Sequence, residues 1–412
     1  MIHYEKFELE NGLRVVFHKD ETTPMAAVNV LYDVGARDEN PDKTGFAHLF
    51  EHLMFGGSAN IPDYDAPLQN AGGDNNAFTN NDITNYYDIV PASNLETALW
   101  LESDRMKQLA FTPKSLEVQR SVVIEEFKQR YLNQPYGDVW LQLRPLAYKK
   151  HPYRWPTIGK EISHIENATL EDVKDFFYKH YGPQNAILSI AGNFELDWIK
   201  EKVAYWFGDI PARTKYERHL TPEPDQLEMR TKHIDREVPA DSFYFAYKMP
   251  DRLDANYYTA DIISDILGRG KSSRLYDKLL KNMNLVSEIS AYITGSFDTG
   301  LLVISGKATK KHTFDRIEEE IETILDSIRT NEISEDELTK VKNKLETSKV
   351  FSDMGVQSKA LNLAYFELLG NIDLVNSELK EYEKITTKKI KAFAKENLIN
   401  SKCSKLFVHA KN

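Results

Sequence analysis

Apolar and polar positions alternate along AAVNVLYDV, Ala26 to Val34, and again along SFYFAYKM, Ser242 to Met249, which predicts a strand in each place. Each is followed by a charged loop and then by an apolar run that closes on glycine, GFAHLFEHLMFGG in the first case and YYTADIISDILGRG in the second. Both runs read as helices. The order keeps repeating downstream. TNYYDIVPASNLETALWLESDRM and GLLVISGKATKKHTFDRIEEEIETIL each read as strand then helix. FTPKSLEVQRSVVIEEF and ISEDELTKVKNKLETSK each read as a capped helix, the second with Ser334 and Glu337 at capping-box spacing. ATLEDVKDFFYKHYGPQNAILSIAGN and ITTKKIKAFAKENLINSKCSKLFVHA each read as a helix leading into a strand.

Such a repeated order of elements is the mark of an internal duplication. Each half is expected to be an α+β unit, a mostly antiparallel sheet with helices on one side. Between the halves, Ile210 to Gln226 (IPARTKYERHLTPEPDQ) sets Pro211, Pro222 and Pro224 among charges with no hydrophobic period, which reads as a linker. The expected division is residues 1–212, a linker at 213–226, and residues 227–412.

Composition narrows the chemistry. A chain of 412 residues has ample apolar material for a core in each half. Its net charge of −11 argues against a nucleic-acid partner, which wants a basic stripe to neutralise phosphates. The acidic run Phe314 to Arg329, apolar at Ile317, Ile321, Ile324, Leu325 and Ile328, reads as a solvated amphipathic helix. The single cysteine, Cys403, rules out an internal disulfide and a cysteine-rich metal site, so any metal chemistry must use histidine and carboxylate. With no uncharged apolar run of about 18 residues and no basic-then-apolar start, the expectation is no membrane span and no signal peptide. That points to the cytoplasm, or to the periplasm had a signal been removed.

The stretch Gly45 to Gly57 carries the candidate chemistry, two histidines and a glutamate within five residues. On a helix His48 and His52 share a face, so both imidazoles can reach one zinc ion. Glu51 is near enough to that face to meet a metal-bound water, the H-x-x-E-H arrangement. The bland alternative is a surface pair of histidines beside a helix-face glutamate, but the apolar flanks favour a ligand. A third ligand is expected from SLEVQRSVVIEEFKQRY, where Val122-Val123-Ile124 leads into Glu125-Glu126; periodicity leaves open which carboxylate turns inward. In the second half, His48 and His52 fall opposite residues near Ala260 and Ser264, and the two glutamates fall opposite Thr347 and Ser348. The repeat dispenses with the metal site.

These motifs resemble the pitrilysin or insulinase family of zinc metallopeptidases, the inverzincins, and in size its single-half members such as mitochondrial processing peptidase subunits and bacterial relatives. The resemblance runs through NGLRVVFHKD, VGARDE, HLFEHLMFGG, GGDNNAFTNNDITNYY, RSVVIEEF, HPYRWPTIG and LGRGKSSRLYDKL. It implies a zinc endopeptidase that cleaves short or unfolded peptides in a closed chamber, with one Zn2+ per chain. His48 and His52 match its zinc ligands, Glu51 its general base, and Glu126 its third ligand, with Glu125 the second choice. The usual glutamate seven residues before the third ligand is Gln119 here, and Glu117 is the candidate substitute. Asn75 to Thr79, with Asn76, Ala77 and Phe78 at its centre, matches the edge strand on which a peptide adds as an extra strand. An arginine and a tyrosine that hold the scissile carbonyl in members acting alone are replaced by Leu280 and Ser287, with Arg274 and Tyr276 nearby as alternatives. The resemblance therefore implies a dimer in which a homologous subunit supplies that pair, or else a non-catalytic core subunit of the same family.

Overall fold

The computed structural model describes residues 1–310 and 313–411; Lys311, His312 and Asn412, all in the second expected domain, lie outside them. The first half runs β1 (Glu5–Glu8), β2 (Arg14–Lys19), β3 (Met25–Tyr32), α1 (Phe46–Leu53), α2 (Asp65–Asn70), β4 (Asp74–Thr79), β5 (Thr84–Pro91), α3 (Leu95–Lys107), α4 (Pro113–Phe127), α5 (Val139–Ala147), α6 (Ile162–Glu166), α7 (Leu170–His180), β6 (Ala186–Gly192) and α8 (Leu196–Phe207). The second runs β7 (Arg230–Arg236), β8 (Ser242–Met249), α9 (Tyr257–Gly268), β9 (Val286–Ile293), β10 (Gly300–Ala308), α10 (Phe314–Thr330), α11 (Glu335–Ser352), α12 (Val356–Leu368), α13 (Leu374–Glu383), α14 (Thr387–Asn397) and β11 (Cys403–Ala410).

The duplication is explicit in the sheets. The first has strand order β1-β2-β6-β3-β5-β4 and the second β7-β11-β8-β10-β9. Removing β1 leaves the same order, with one parallel pair in each (β2 with β6, β7 with β11) and antiparallel pairing elsewhere. This is the α+β, mostly antiparallel fold that the pattern predicts.

Helices on one side only is not what forms. In the second sheet Phe243, Phe245 and Tyr247 of β8 face α9, α10 and α14, while Ala246 faces Val139, Leu143 and Ala147 of α5. In the first, Ala27 and Ala191 meet Ala360 of α12. The opposite face carries Val28 and Val30, in register with Asp88 and Tyr86. Both faces are covered because the central strands are apolar on both: all of β6 is buried, and all of β3 but Met25.

The covering helices explain how contacts divide the chain. One compact unit holds residues 1–129, 155–220 and 349–377, and the other holds 130–154, 221–348 and 378–412. A single cut at 213–226 groups the segments 130–154 and 349–377 otherwise. Nor is the linker loose over its first part. Arg213 donates to the carbonyls of Phe177, Tyr181, Met106 and Lys107, and Arg218 pairs with Asp33 and Asp38. The acidic helix α10 buries Ile317, Ile321, Ile324, Leu325 and Ile328, as its period requires. No described helix is long and apolar enough to cross a membrane.

Candidate metal centre

Helix α1 begins at Gly45, whose φ of +90° lies in the left-handed region; a Cβ there would come within 2.7 Å of the Ile158 carbonyl. The buried Glu39 carboxylate caps this end, accepting from the amides of Gly45 and Ala47 at 2.9 Å each. Trp155 Nε1 donates to the same carboxylate at 3.1 Å and to the Ala36 carbonyl at 2.9 Å. Burial pushes the Glu39 carboxyl up to about 8, against the pull of those three donors. VGARDE and HPYRWPTIG thus meet to hold one helix end. Farther along, Tyr86 donates to the Phe50 carbonyl at 3.1 Å.

With α1 fixed, its sequence sorts into two faces. Phe46, Ala47, Leu49, Phe50 and Leu53 are buried, while His48 and His52 keep 12% and 25% side-chain exposure. Helix α4 starts on Thr112, whose hydroxyl accepts from the Ser115 amide at 3.0 Å, and it brings Glu126 opposite the histidines. His48 Nε2 and His52 Nε2 are 3.3 Å apart, and Glu126 Oε2 lies 3.5 Å and 3.3 Å from them. Among the described residues this is the one group of three histidine, cysteine or carboxylate donors lying within 4.8 Å of one another.

The triangle fits a zinc ion. Ligand atoms about 2.0–2.1 Å from a tetrahedral zinc stand roughly 3.3–3.4 Å apart. The sides observed, 3.3, 3.3 and 3.5 Å, match one face of that tetrahedron, and two imidazole nitrogens with one carboxylate form a donor set for catalytic zinc.

The neighbouring glutamates separate by helical phase. Glu125 is exposed and pairs with Lys128 at 2.9 Å. Gln119, seven residues before Glu126, lies on nearly the same face and is half-buried, beside Gly56. Glu117, nine residues before, falls on the opposite face, where it is exposed and paired with Arg120. The expectation that Glu117 could orient a zinc ligand is therefore corrected. Val122 also departs from the core-facing run, being 44% exposed beside the fully buried Val123.

Glu51 is largely buried next to the end of β4. Burial raises its carboxyl above the usual range; Thr79 and His52 pull it back, and Glu126 adds to the rise. The Thr79 hydroxyl makes no full hydrogen bond of its own. Strand β4 is the outermost strand of its sheet, bonded only to β5 among the described residues. The amides of Asn75 and Ala77 are held by the side chains of Asp74 and Asn76, at 3.0 and 2.8 Å, rather than by β5. Amides two residues apart point the same way, so Asn75, Ala77 and Thr79 form the outward row, and it ends beside Glu51. Asn76, Ala77 and Phe78 occupy the middle of this edge.

Beneath α1 lies a buried cluster that sequence reasoning missed. The Arg105 guanidinium sits 4.3 to 5.2 Å from the rings of Tyr64, Tyr86 and Phe55 and pairs with Glu102. Tyr64 donates to Asp88, whose carboxyl burial drives well up. Its only signal in sequence was charges spaced through an otherwise apolar strand and helix.

In the second unit Leu280 packs against the hydrophobic core, and Ser287 is exposed on β9. Arg274 makes a two-pronged pair with Glu337, at 3.0 and 2.7 Å, and donates to Ser327 at 3.0 Å. That grip makes Arg274 a structural link rather than an open carbonyl donor. Half of the expected capping box forms there too, the Glu337 amide bonding Ser334 Oγ at 3.2 Å while its carboxylate serves Arg274.

Residues 14–160 match the family described as Insulinase (Peptidase family M16), and residues 167–345 match the one described as Peptidase M16 inactive domain. The Zinc protease PqqE of Helicobacter pylori is 31% identical over 347 residues, 82% of this chain and 78% of that protein. The Uncharacterized zinc protease YmxG of Bacillus subtilis is 25% identical over 397 residues, 95% of each. Among solved structures, a protease from Helicobacter pylori superposes with a TM-score of 0.94 at 26% identity, covering 99% of this chain and 100% of that one. A peptidase M16 inactive domain from Pseudomonas fluorescens shares the fold, with a TM-score of 0.89 at 18% identity over 100% and 98% of the two chains.

Proposed function

This chain belongs to the insulinase family of peptidases, family M16, and from that premise we propose that it is a zinc-dependent endopeptidase acting on short or unfolded peptides. The observation that carries the reading is the triangle of His48, His52 and Glu126, spaced as one face of a zinc tetrahedron. These three residues hold one Zn2+ per chain, and the names of the relatives as zinc proteases support that choice. Zinc supplies Lewis acidity, polarising a peptide carbonyl and lowering the pKa of water towards about 7.

The protein's own groups do the rest. Glu51 takes the proton of the attacking water and passes it to the departing amine. The substrate peptide adds to the outer edge of β4, replacing the Asp74 and Asn76 side chains on the Asn75 and Ala77 amides. Main-chain bonds of this kind grip most sequences alike, and the row leads the peptide towards Glu51.

Leu280 offers no donor for the carbonyl oxygen, the Ser287 hydroxyl is directed at the Lys307 carbonyl, and Arg274 is engaged with Glu337. We therefore assign the chain as the zinc-bearing member of a dimer with a homologous subunit that brings an arginine and a tyrosine. Removing such donors costs about 10²- to 10³-fold in rate, so the chain alone is expected to bind zinc and cleave slowly. The competing reading, a non-catalytic core subunit, has no use for an intact His48, Glu51, His52 and Glu126 set.

The test is zinc content and cleavage of a quenched fluorescent peptide by the purified chain, beside Glu51→Gln. One zinc per chain, with cleavage that falls about 10²- to 10⁴-fold in Glu51→Gln, supports the proposal. Cleavage indifferent to Glu51, or a chain that binds no zinc, overturns it. Full activity of a homodimer overturns the assignment of a second subunit.

A further inference from the structure

The buried cluster beneath α1 takes no part in holding zinc or peptide. On β5, Tyr86 and Asp88 are two residues apart and share a face. On α3, Glu102 and Arg105 are three apart and do the same. Glu102 is 0% and Arg105 1% exposed, and they pair. A buried ion pair adds little stability beyond apolar packing of the same volume, so stability alone does not account for it. What the guanidinium does is hold rings. It lies 4.3 Å from the centroid of Tyr64 and 4.4 Å from that of Tyr86. Tyr32 meets the Tyr86 ring edge-on at 6.0 Å, and Phe55 meets it at 6.0 Å.

Packed in this way, Tyr86 aims its hydroxyl at α1 and donates to the Phe50 carbonyl at 3.1 Å. That carbonyl already accepts from the Met54 amide at 3.0 Å, so the helix itself has no need of a second donor. Burial keeps the Tyr86 hydroxyl protonated far above its ordinary range, and it stays a donor; Arg105 acts against that rise, polarising the O–H towards the carbonyl. Phe50 lies between His48 and His52 and next to Glu51. Glu39 holds the start of the helix, and a bond reaching its middle from the side stops it turning about its axis.

We propose that Tyr86 is a positioning residue, with Arg105 acting through it: the pair fixes the rotation of α1, so that Glu51, His48 and His52 face one point. Its catalytic consequence rests on the endopeptidase reading. Chemistry that depends on alignment is sensitive to such a rotation, since a misplacement of about 1 Å can cost about 10²-fold in rate. Binding of peptide along β4 does not depend on it, because those contacts are made by another element.

The test is Tyr86→Phe in the zinc-loaded full chain, which removes the hydroxyl and keeps the ring. With a quenched fluorescent peptide, kcat is expected to fall about 10- to 100-fold and KM to stay within about twofold, with one zinc per chain retained. Amides of α1 should exchange with deuterium about tenfold faster, and those of α3 at the wild-type rate. Tyr32→Phe is the control for losing a buried hydroxyl, since that of Tyr32 meets no protein partner; its kcat should match wild type. Arg105→Lys should lower kcat by itself and lower it no further in the Tyr86→Phe background. If Arg105→Lys does not fold, the two tyrosine variants decide. Unchanged kcat or unchanged α1 exchange in Tyr86→Phe overturns the proposal, as does an equal loss in Tyr32→Phe. Wild-type cleavage indifferent to Glu51→Gln defeats the endopeptidase reading instead, and the exchange result then decides whether Tyr86 fixes the helix.

Discussion

The helix pairs α1 with α4 and α9 with α11 occupy the same places in the repeated order, yet only the first sets histidines against a carboxylate; the buried Asp265 of α9 and Glu337 of α11 have arginines nearby instead. In α1 the apolar side is buried and the histidines keep partial exposure beside Glu126. In α9 the corresponding positions, Ala260 and Ser264, are 0% and 2% exposed, and Ser264 Oγ donates to the Asp261 carbonyl at 2.8 Å. The helix starts differ as well. Glu39 holds that of α1, whereas Asn256 makes no side-chain cap on α9. The same backbone frame therefore tolerates either a polar open face or a more closely packed one, so folding alone does not call for the polar face of the first half.

The sharpest way to break this comparison is to remove a ligand. His52→Ala should drop bound zinc from one per chain towards none and take peptide cleavage to background, with the melting temperature of the metal-free chain nearly unchanged. Retained zinc would locate the metal elsewhere. The reverse graft should fail: Ser264→His overfills a packed helix, costing about 1–3 kcal/mol in denaturant unfolding without creating a zinc site. A variant that binds zinc and keeps its stability would show the second frame to be open after all.

Glu39→Gln tests the helix cap. It leaves one acceptor where there were two, an expected loss of about 1–3 kcal/mol, with zinc affinity falling in step. The pH dependence has a definite sign. In the fold the carboxyl sits at about 8, above its ordinary value of 4.5, so between those values the folded chain holds a proton that the unfolded chain has released. The contribution of Glu39 to stability therefore declines as pH rises from about 4.5 to about 8, and Glu39→Gln should flatten that decline in melting curves. The smallest effect is expected at Glu125→Ala, within about 0.5 kcal/mol and with cleavage unchanged, because its exposed pair with Lys128 contributes little. Loss of cleavage there would make it a ligand alongside Glu126.

Much of the fold was legible because alternation and helical period are local properties of a chain. The paired strand-and-helix segments reappear as β3 with β8, α1 with α9, β5 with β10, α4 with α11 and β6 with β11. The reading of one covered face failed because β3 and β6 are apolar on both faces, and their second cover, α12, comes from far along the sequence. The choice between Glu125 and Glu126 was closed to periodicity, since adjacent helix residues differ by only about 100° and the partner α1 sets which direction is inward. Glu117 was misjudged for the same reason. The roles of Glu39 and Trp155 stayed hidden because a capping bond joins residues from separate loops.

By itself the sequence determined the repeat, the two kinds of element, and a helix that presents His48, Glu51 and His52 together, because each depends on spacing along a single segment. Tertiary structure alone decided that Glu126 closes the triangle at 3.3 and 3.5 Å, that the outward amides of β4 end beside Glu51, and that segments 130–154 and 349–377 pack outside their own halves. Those are contacts between residues far apart in the chain, and apolar faces settle them by finding cover wherever the fold supplies it.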